Sequence, residues 1–168
     1  MPARRRLLAV LVTVLVAAVA ASVFFGVRAH ELRSTPSAAN AALADPEATE
    51  EVIERVSAGL KAVFSYDYTN LARTERAVGL ALTGSAASEY RTEFEAAAKR
   101  AKREKLVRTS SVRSIGVREL SAERAELLVF LDQQTLRTKG APASSTATLD
   151  VTAHRVDGTW RIAAITSL

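Results

Sequence analysis

The chain has 168 residues, of which 48% are hydrophobic and 24% charged, enough for one packed domain with an appendage and too apolar for a disordered tail. It has no cysteine, which excludes disulfides, thiolate metal sites and a cysteine nucleophile together. The net charge of +5 sits mostly at one end: residues 1–33 hold five basic side chains and one acidic, leaving 18 basic and 17 acidic over residues 34–168, which weighs against a nucleic-acid-binding domain.

Leu7 to Val27 is a run of 21 uncharged residues rich in Leu, Val and Ala. At about 1.5 Å per helical residue it spans a hydrocarbon core of roughly 30 Å. Arg4, Arg5 and Arg6 precede it, and such a basic flank stays in the cytoplasm. The expected topology is a single-pass plasma-membrane protein: residues 1–6 cytoplasmic, 7–27 transmembrane, 28–44 a linker, and 45–168 an extracytoplasmic domain. A cleavable signal peptide is the alternative, because Ala18-Val19-Ala20 and Ala20-Ala21-Ser22 offer small-residue cleavage patterns. Val23-Phe24-Phe25 continues the apolar run beyond both, which favours a retained anchor.

The linker is Ala-rich and invites a helical turn from Ala38 to Ala44. Asp45-Pro46-Glu47 is a helix start: a side-chain acceptor at the cap, proline at the first position and acid in the first turn. Val52, Val56, Leu60 and Val63 recur at three- and four-residue spacing, the pattern of an amphipathic helix of about five turns. Ser65 to Asn70 reads as a turn with an asparagine cap. A second helix is expected from Leu71 to Leu82, capped by Gly84. A third starts near Ser85, with Tyr90, Phe94, Ala97, Ala98 and Ala101 on one side and a basic last turn.

After Lys105 the period changes to that of strands. Extended runs are expected over 106–120, 125–139, 145–156 and 159–168, the second apolar on both faces. Asp157-Gly158 is a hairpin signal, since a two-residue primed turn requires positive φ. On the last strand Trp160, Ile162, Ala164 and Thr166 are expected to share one face. Trp160 should pack against the helix carrying Val56 and Leu60. The expected class is α+β: three helices on a curved, four-stranded antiparallel sheet.

No catalytic constellation stands out. His30 lies in the membrane flank, and Leu149, Val151 and Ala153 claim the core face of the third strand, sending His154 to the other. Asp132 interrupts the apolar second strand and is the candidate polar residue for a cavity. No metal-ligand cluster, glycine-rich phosphate loop or cofactor motif is evident. Lys99, Arg100, Lys102, Arg103 and Lys105 form a basic helix end, readable as charge complementing the helix terminus or as a contact for an anionic lipid surface or acidic partner. No aromatic residues interleave there for stacking on nucleic acid. Tyr66 and Tyr68 either close one end of the core or line a ligand pocket.

The arginine-flanked anchor, Phe64-Ser65-Tyr66-Asp67-Tyr68 after the first helix, Leu82-Thr83-Gly84 followed by Tyr90, and the closing Val156-Asp157-Gly158-Thr159-Trp160 occur in an order that resembles the Mce-associated membrane proteins of actinobacteria. The resemblance implies a cystatin-like cone similar to nuclear transport factor two, a fold also found in assembly factors of type IV secretion. It further implies a non-enzymatic accessory role beside Mce lipid importers, with Mce-type transporter subunits or related Mce-associated proteins as partners. It brings no catalytic residue, cofactor or metal. Lys99 to Lys105 is more basic than the resemblance requires. A lipid- or small-molecule-binding module and a SnoaL-like enzyme are the alternatives on the same fold, and the contents of the cone discriminate them.

Overall fold

The computed structural model of the protein describes residues 40–42, 44–138 and 140–168. The expected membrane segment and its orienting Arg4, Arg5 and Arg6 lie outside the described residues. Among the described residues no helix is long and apolar enough to cross a membrane.

Asn40 opens a compact unit that runs to Leu168. Its amide donates to the carbonyl of Arg118 at 2.8 Å, and its Oδ1 accepts the backbone N–H groups of Leu120 and Ala42 at 2.9 and 3.0 Å. These bonds hold the entering chain to a strand end. The described residues of the expected Ala38–Ala44 helix accordingly form a turn.

Helix α1 spans Pro46–Phe64, with Asp45 Oδ1 accepting the N–H of Ala48 at 3.0 Å as its cap. Val52, Val56, Leu60 and Val63 form its buried face. Tyr66–Asp67, read above as part of a turn, is a short strand β1 that pairs with the first long strand, Tyr66 opposite Arg108. The sheet therefore has five strands rather than four. Period-based reading misses a two-residue strand, because alternation cannot be seen over so few residues. Asp67 then turns the chain by accepting the N–H and hydroxyl of Thr69 at 2.8 and 2.7 Å. Asn70 stands at the cap position of the next helix but makes no side-chain cap bond.

Helix α2 covers Leu71–Ala81 and α3 covers Gly84–Glu104. Gly84 does not cap α2, whose end is the extended Leu82; its positive φ of 56° instead begins α3. Leu82 bridges Ile162 and Thr83 N–H donates to the Ile162 carbonyl at 2.8 Å, so this junction docks on the last strand.

Strands β2 (Val107–Leu120), β3 (Arg124–Leu136), β4 (Ala143–Val156) and β5 (Thr159–Ser167) follow as an antiparallel meander in the order β1-β2-β3-β4-β5. The doubly apolar β3 is central, as its composition requires. The β4–β5 turn places Asp157 and Gly158 at φ 51° and 73°, the left-handed values of a primed turn. All three helices pack on one face, against β2 and β5 most closely.

Three bulges set the register. Val112, Ile115, Val117 and Leu120 lie opposite Leu131, Val129, Leu127 and Ala125, although their spacings of three, two and three residues would scatter them over both faces of a regular strand. Bulges at Arg113 and Arg118 absorb the extra residues and keep all four inward. On β5 the pairing jumps from Ile162–Ala153 to Ala164–Thr152, bulging at Ala163. Beyond it Ile165, not Ala164, packs on the core, which corrects the expected face of this strand. Trp160 is 4% exposed and shares one core cluster with Val56 and Leu60, as expected.

Candidate functional site

Helix α3 leans on β5 and stands off the inner face of β3 and β4, leaving a cavity of about 410 Å³. Its walls follow from the patterns that build the fold. The inward positions of β3, β4 and β5 contribute Leu131, Ala147, Leu149 and Ile165, and α3 contributes Tyr90, Phe94 and Ala97. Phe64 and Tyr66 close it from the end of α1 and from β1. The rings hold one another: Tyr90 stacks on Phe94 at 5.4 Å between centroids, and Phe64 and Tyr66 meet them edge-on at 6.0 and 6.2 Å. The Tyr90 hydroxyl donates to the Val63 carbonyl, and burial pushes its pKa well above the ordinary tyrosine value. Ser110, fully buried, anchors the same corner by donating its hydroxyl to the Phe64 carbonyl at 2.8 Å while its N–H donates to Ser65 Oγ at 2.9 Å.

The polar lining is asymmetric along α3. Glu89 and Glu93, both exposed, stand toward its N-terminal half. They form a carboxylate pair at helical spacing that the sequence reading passed over, because exposed glutamates on a charged helix give no signal of their own. Toward the C-terminal end Arg108 joins the lining. There a second cleft of about 460 Å³ begins, sharing Tyr66, Ala97 and Arg108 with the first and adding Arg100, Arg137, Thr135, Ser144 and Ser145. The Arg108 guanidinium lies 5.2 Å from the Tyr66 ring centre, and its Nε donates to Thr135 Oγ1 at 3.1 Å. Among the described residues neither Arg108 nor Arg137 has a carboxylate partner. Arg100 is bound to Glu104 at 3.1 Å.

The basic helix end is thus partly neutralised by its own helix. Lys99 pairs with Glu95 at 2.7 Å, and Arg103 joins Arg100 on Glu104 at 3.3 Å. Lys102 and Lys105 remain exposed without an ion pair among the described residues. Arg108, on β2, and Arg137, the residue just past β3, complete the cationic cleft. The only sequence signal for Arg108 is its position among the inward residues of β2.

Asp132 does not enter the cavity. It faces the side of the sheet opposite α1, α2 and α3, where Arg113 Nε donates to it at 2.8 Å and Thr146 Oγ1 at 3.0 Å. The Arg113 hydrogen bond holds its carboxyl below the usual range. It lines a shallow polar cleft there with Thr109, Ser111 and Gln134. His154 lies exposed on the same side of the sheet, opposite Arg161 on β5. Among the described residues no group of three or more acidic or histidine side chains is placed to hold a metal ion. Tyr66 closes the end of a small second core with Leu71, Phe94, Ala101 and Leu106, and it also lines the cavity.

No family model matches the chain, and no curated protein matches it in sequence. Solved structures share its fold. A periplasmic fragment of TraM superposes with a TM-score of 0.61 at 12% identity, covering 72% of this chain and 97% of its own. An IcmL-like type IV secretion system protein from Legionella pneumophila gives 0.61 at 7% identity, over 73% and 93%. CagV, a VirB8 homolog of the type IV secretion system of Helicobacter pylori, gives 0.56 at 10% identity, over 72% and 97%. At these identities the likeness is one of fold, the helix-covered cone that the resemblance implied.

Proposed function

We propose that this chain is a non-enzymatic accessory subunit of a cell-envelope assembly, acting through protein contacts of a domain held outside the cytoplasm. The assembly we propose is an Mce-type lipid transport complex, an assignment that rests on the sequence motifs alone. The observation that carries the accessory reading is the separation of reactive groups from the cavity. Asp132 and His154 lie on the other side of the sheet, and the carboxylates at the cavity, Glu89 and Glu93, are exposed and have no orienting partner among the described residues. General acid–base catalysis needs a base held within reach of its target by a second group. The fold shared with a periplasmic fragment and with type IV secretion proteins supports an envelope setting. Tethering by the apolar segment 7–27 raises the effective concentration of the domain near membrane partners, so a small contact surface suffices. The exposed Lys102 and Lys105 belong to that surface, with Lys99, Arg100 and Arg103 beside them.

The test is a strain lacking the gene and its paralogues, scored for lipid uptake and for recovery of transporter subunits with the tagged chain. Uptake should fall in the deletion and return with the wild-type chain and with folded Asp132→Asn and His154→Gln variants. The Lys102→Glu/Lys105→Glu variant should restore less of it and recover fewer subunits. Normal uptake in the deletion with no transporter subunit recovered overturns the proposal. Failure of folded Asp132→Asn alone points instead to chemistry on the outer face.

A further inference from the structure

We propose that the aromatic cavity and the arginine cleft form one binding site for a fatty acyl anion, with the chain in the cone and the carboxylate against Arg108 and Arg137. The proposal concerns what the domain binds, and it stands whichever assembly the domain serves.

Adjacency is the first support. Tyr66, Ala97 and Arg108 line both spaces, so the apolar cavity and the cationic cleft adjoin along these three side chains. Size is the second. A cavity of about 410 Å³ falls within the range of roughly 300–1,000 Å³ for small-molecule sites, and it suits one chain rather than two. Charge is the third. Arg108 is half-buried and held in place by Tyr66 and Thr135, which engages only its Nε among the described residues. The rest of its planar fork is left to meet a carboxylate. Arg137 adds a second guanidinium, and Ser145, on the inward side of β4, supplies a hydroxyl. Arg100 stands in the same cleft but is already shared with Glu104, so it adds less.

The arrangement also fixes a direction. Glu89 and Glu93 flank the cavity toward the N-terminal half of α3, and Arg100 stands about two turns beyond Glu93 on the same helix. An acyl anion entering head-first toward the glutamates is repelled; with its head at the arginines it is attracted. A neutral chain gains nothing from this asymmetry, so a charged head is what the site selects.

The experiment uses the full chain in phospholipid nanodiscs and a diazirine-bearing dodecanoate, with the matching dodecanol as the uncharged probe. Labelled positions are mapped by mass spectrometry. The carboxylate should label cavity residues such as Tyr66, Phe94 and Leu131 about tenfold more than the alcohol does, the scale of one charge-assisted hydrogen bond. Arg108→Gln and the surface substitution Arg137→Gln should each lower labelling about tenfold. Ala147→Phe, which fills the cavity floor, should abolish it. Equal labelling by acid and alcohol, or an unaffected Ala147→Phe variant, overturns the proposal. Label confined to residues 7–27 overturns it as well. Loss of label to inorganic phosphate with no dependence on Ala147 would mark a free-anion site instead. Cross-linking of residues 7–27 into the cavity from a photoreactive residue at Phe94 would mean that the chain occupies its own groove.

Discussion

Tyr90 shows how one side chain serves packing and the cavity together. Its ring stacks on Phe94 inside the cavity wall, while its hydroxyl ties α3 to the last turn of α1 through the Val63 carbonyl. Burial raises its pKa above the ordinary 10.0, because the phenolate would have to sit among apolar neighbours. The neutral form is therefore favoured in the folded state. The stabilising contribution is fully present below about pH 10 and is lost as pH rises toward the folded-state value. Tyr90→Phe should cost about 0.5–1.5 kcal/mol at neutral pH for the lost hydrogen bond. It should also flatten the fall in stability above pH 10 relative to the wild-type chain. Chemical denaturation of both proteins from pH 8 to 11 measures this; parallel pH profiles would show that the hydroxyl is not buried. The sequence offered Tyr90 as one member of an apolar helix face, and its bond to Val63 was not legible, because the partner is a backbone carbonyl 27 residues away.

At the scale of elements, the long strands and the first helix were legible because each carries an unbroken local pattern. Asp45-Pro46 and Asp157-Gly158 are turn and cap chemistry that needs no tertiary partner, and both appear where the residues place them. The bulges were not legible. Val112, Ile115, Val117 and Leu120 violate strict alternation, and only pairing with β3 shows that Arg113 and Arg118 are the residues displaced. Both arginines then make ion pairs on the outer face, Arg113 with Asp132 and Arg118 with Asp150 at 2.6 Å. Deleting Arg113 should heal its bulge and leave Val112 and Ile115 opposite Leu131 and Val129. Deleting Gly116, which carries no side chain, should instead force Val117 off the core at a cost of about 1.5 kcal/mol or more. Thermal melts of the two deletion variants should therefore rank Gly116 as the more damaging. The reverse order would mean that the β2–β3 register is different.

For the whole molecule, the cone and its helical cover were legible from element order, whereas the cavity was not. The cavity is made by the lean of α3 onto β5, and the bulge at Ala163, where Ser85 Oγ donates to the Ala163 carbonyl at 3.3 Å, helps to set that lean. Its arginine cleft joins residues 100, 108 and 137, drawn from α3, from β2 and from the residue just past β3. The proposal for the partner depends on the domain facing away from the cytoplasm, and the absence of cysteine allows a direct measurement. A single cysteine is introduced as Ser144→Cys in the exposed rim of the arginine cleft, or as Ala3→Cys ahead of the basic cluster. Intact spheroplasts are then treated with a membrane-impermeant maleimide. The account predicts labelling at position 144 in intact spheroplasts and at position 3 only after lysis. Protection of position 144 until lysis would contradict it.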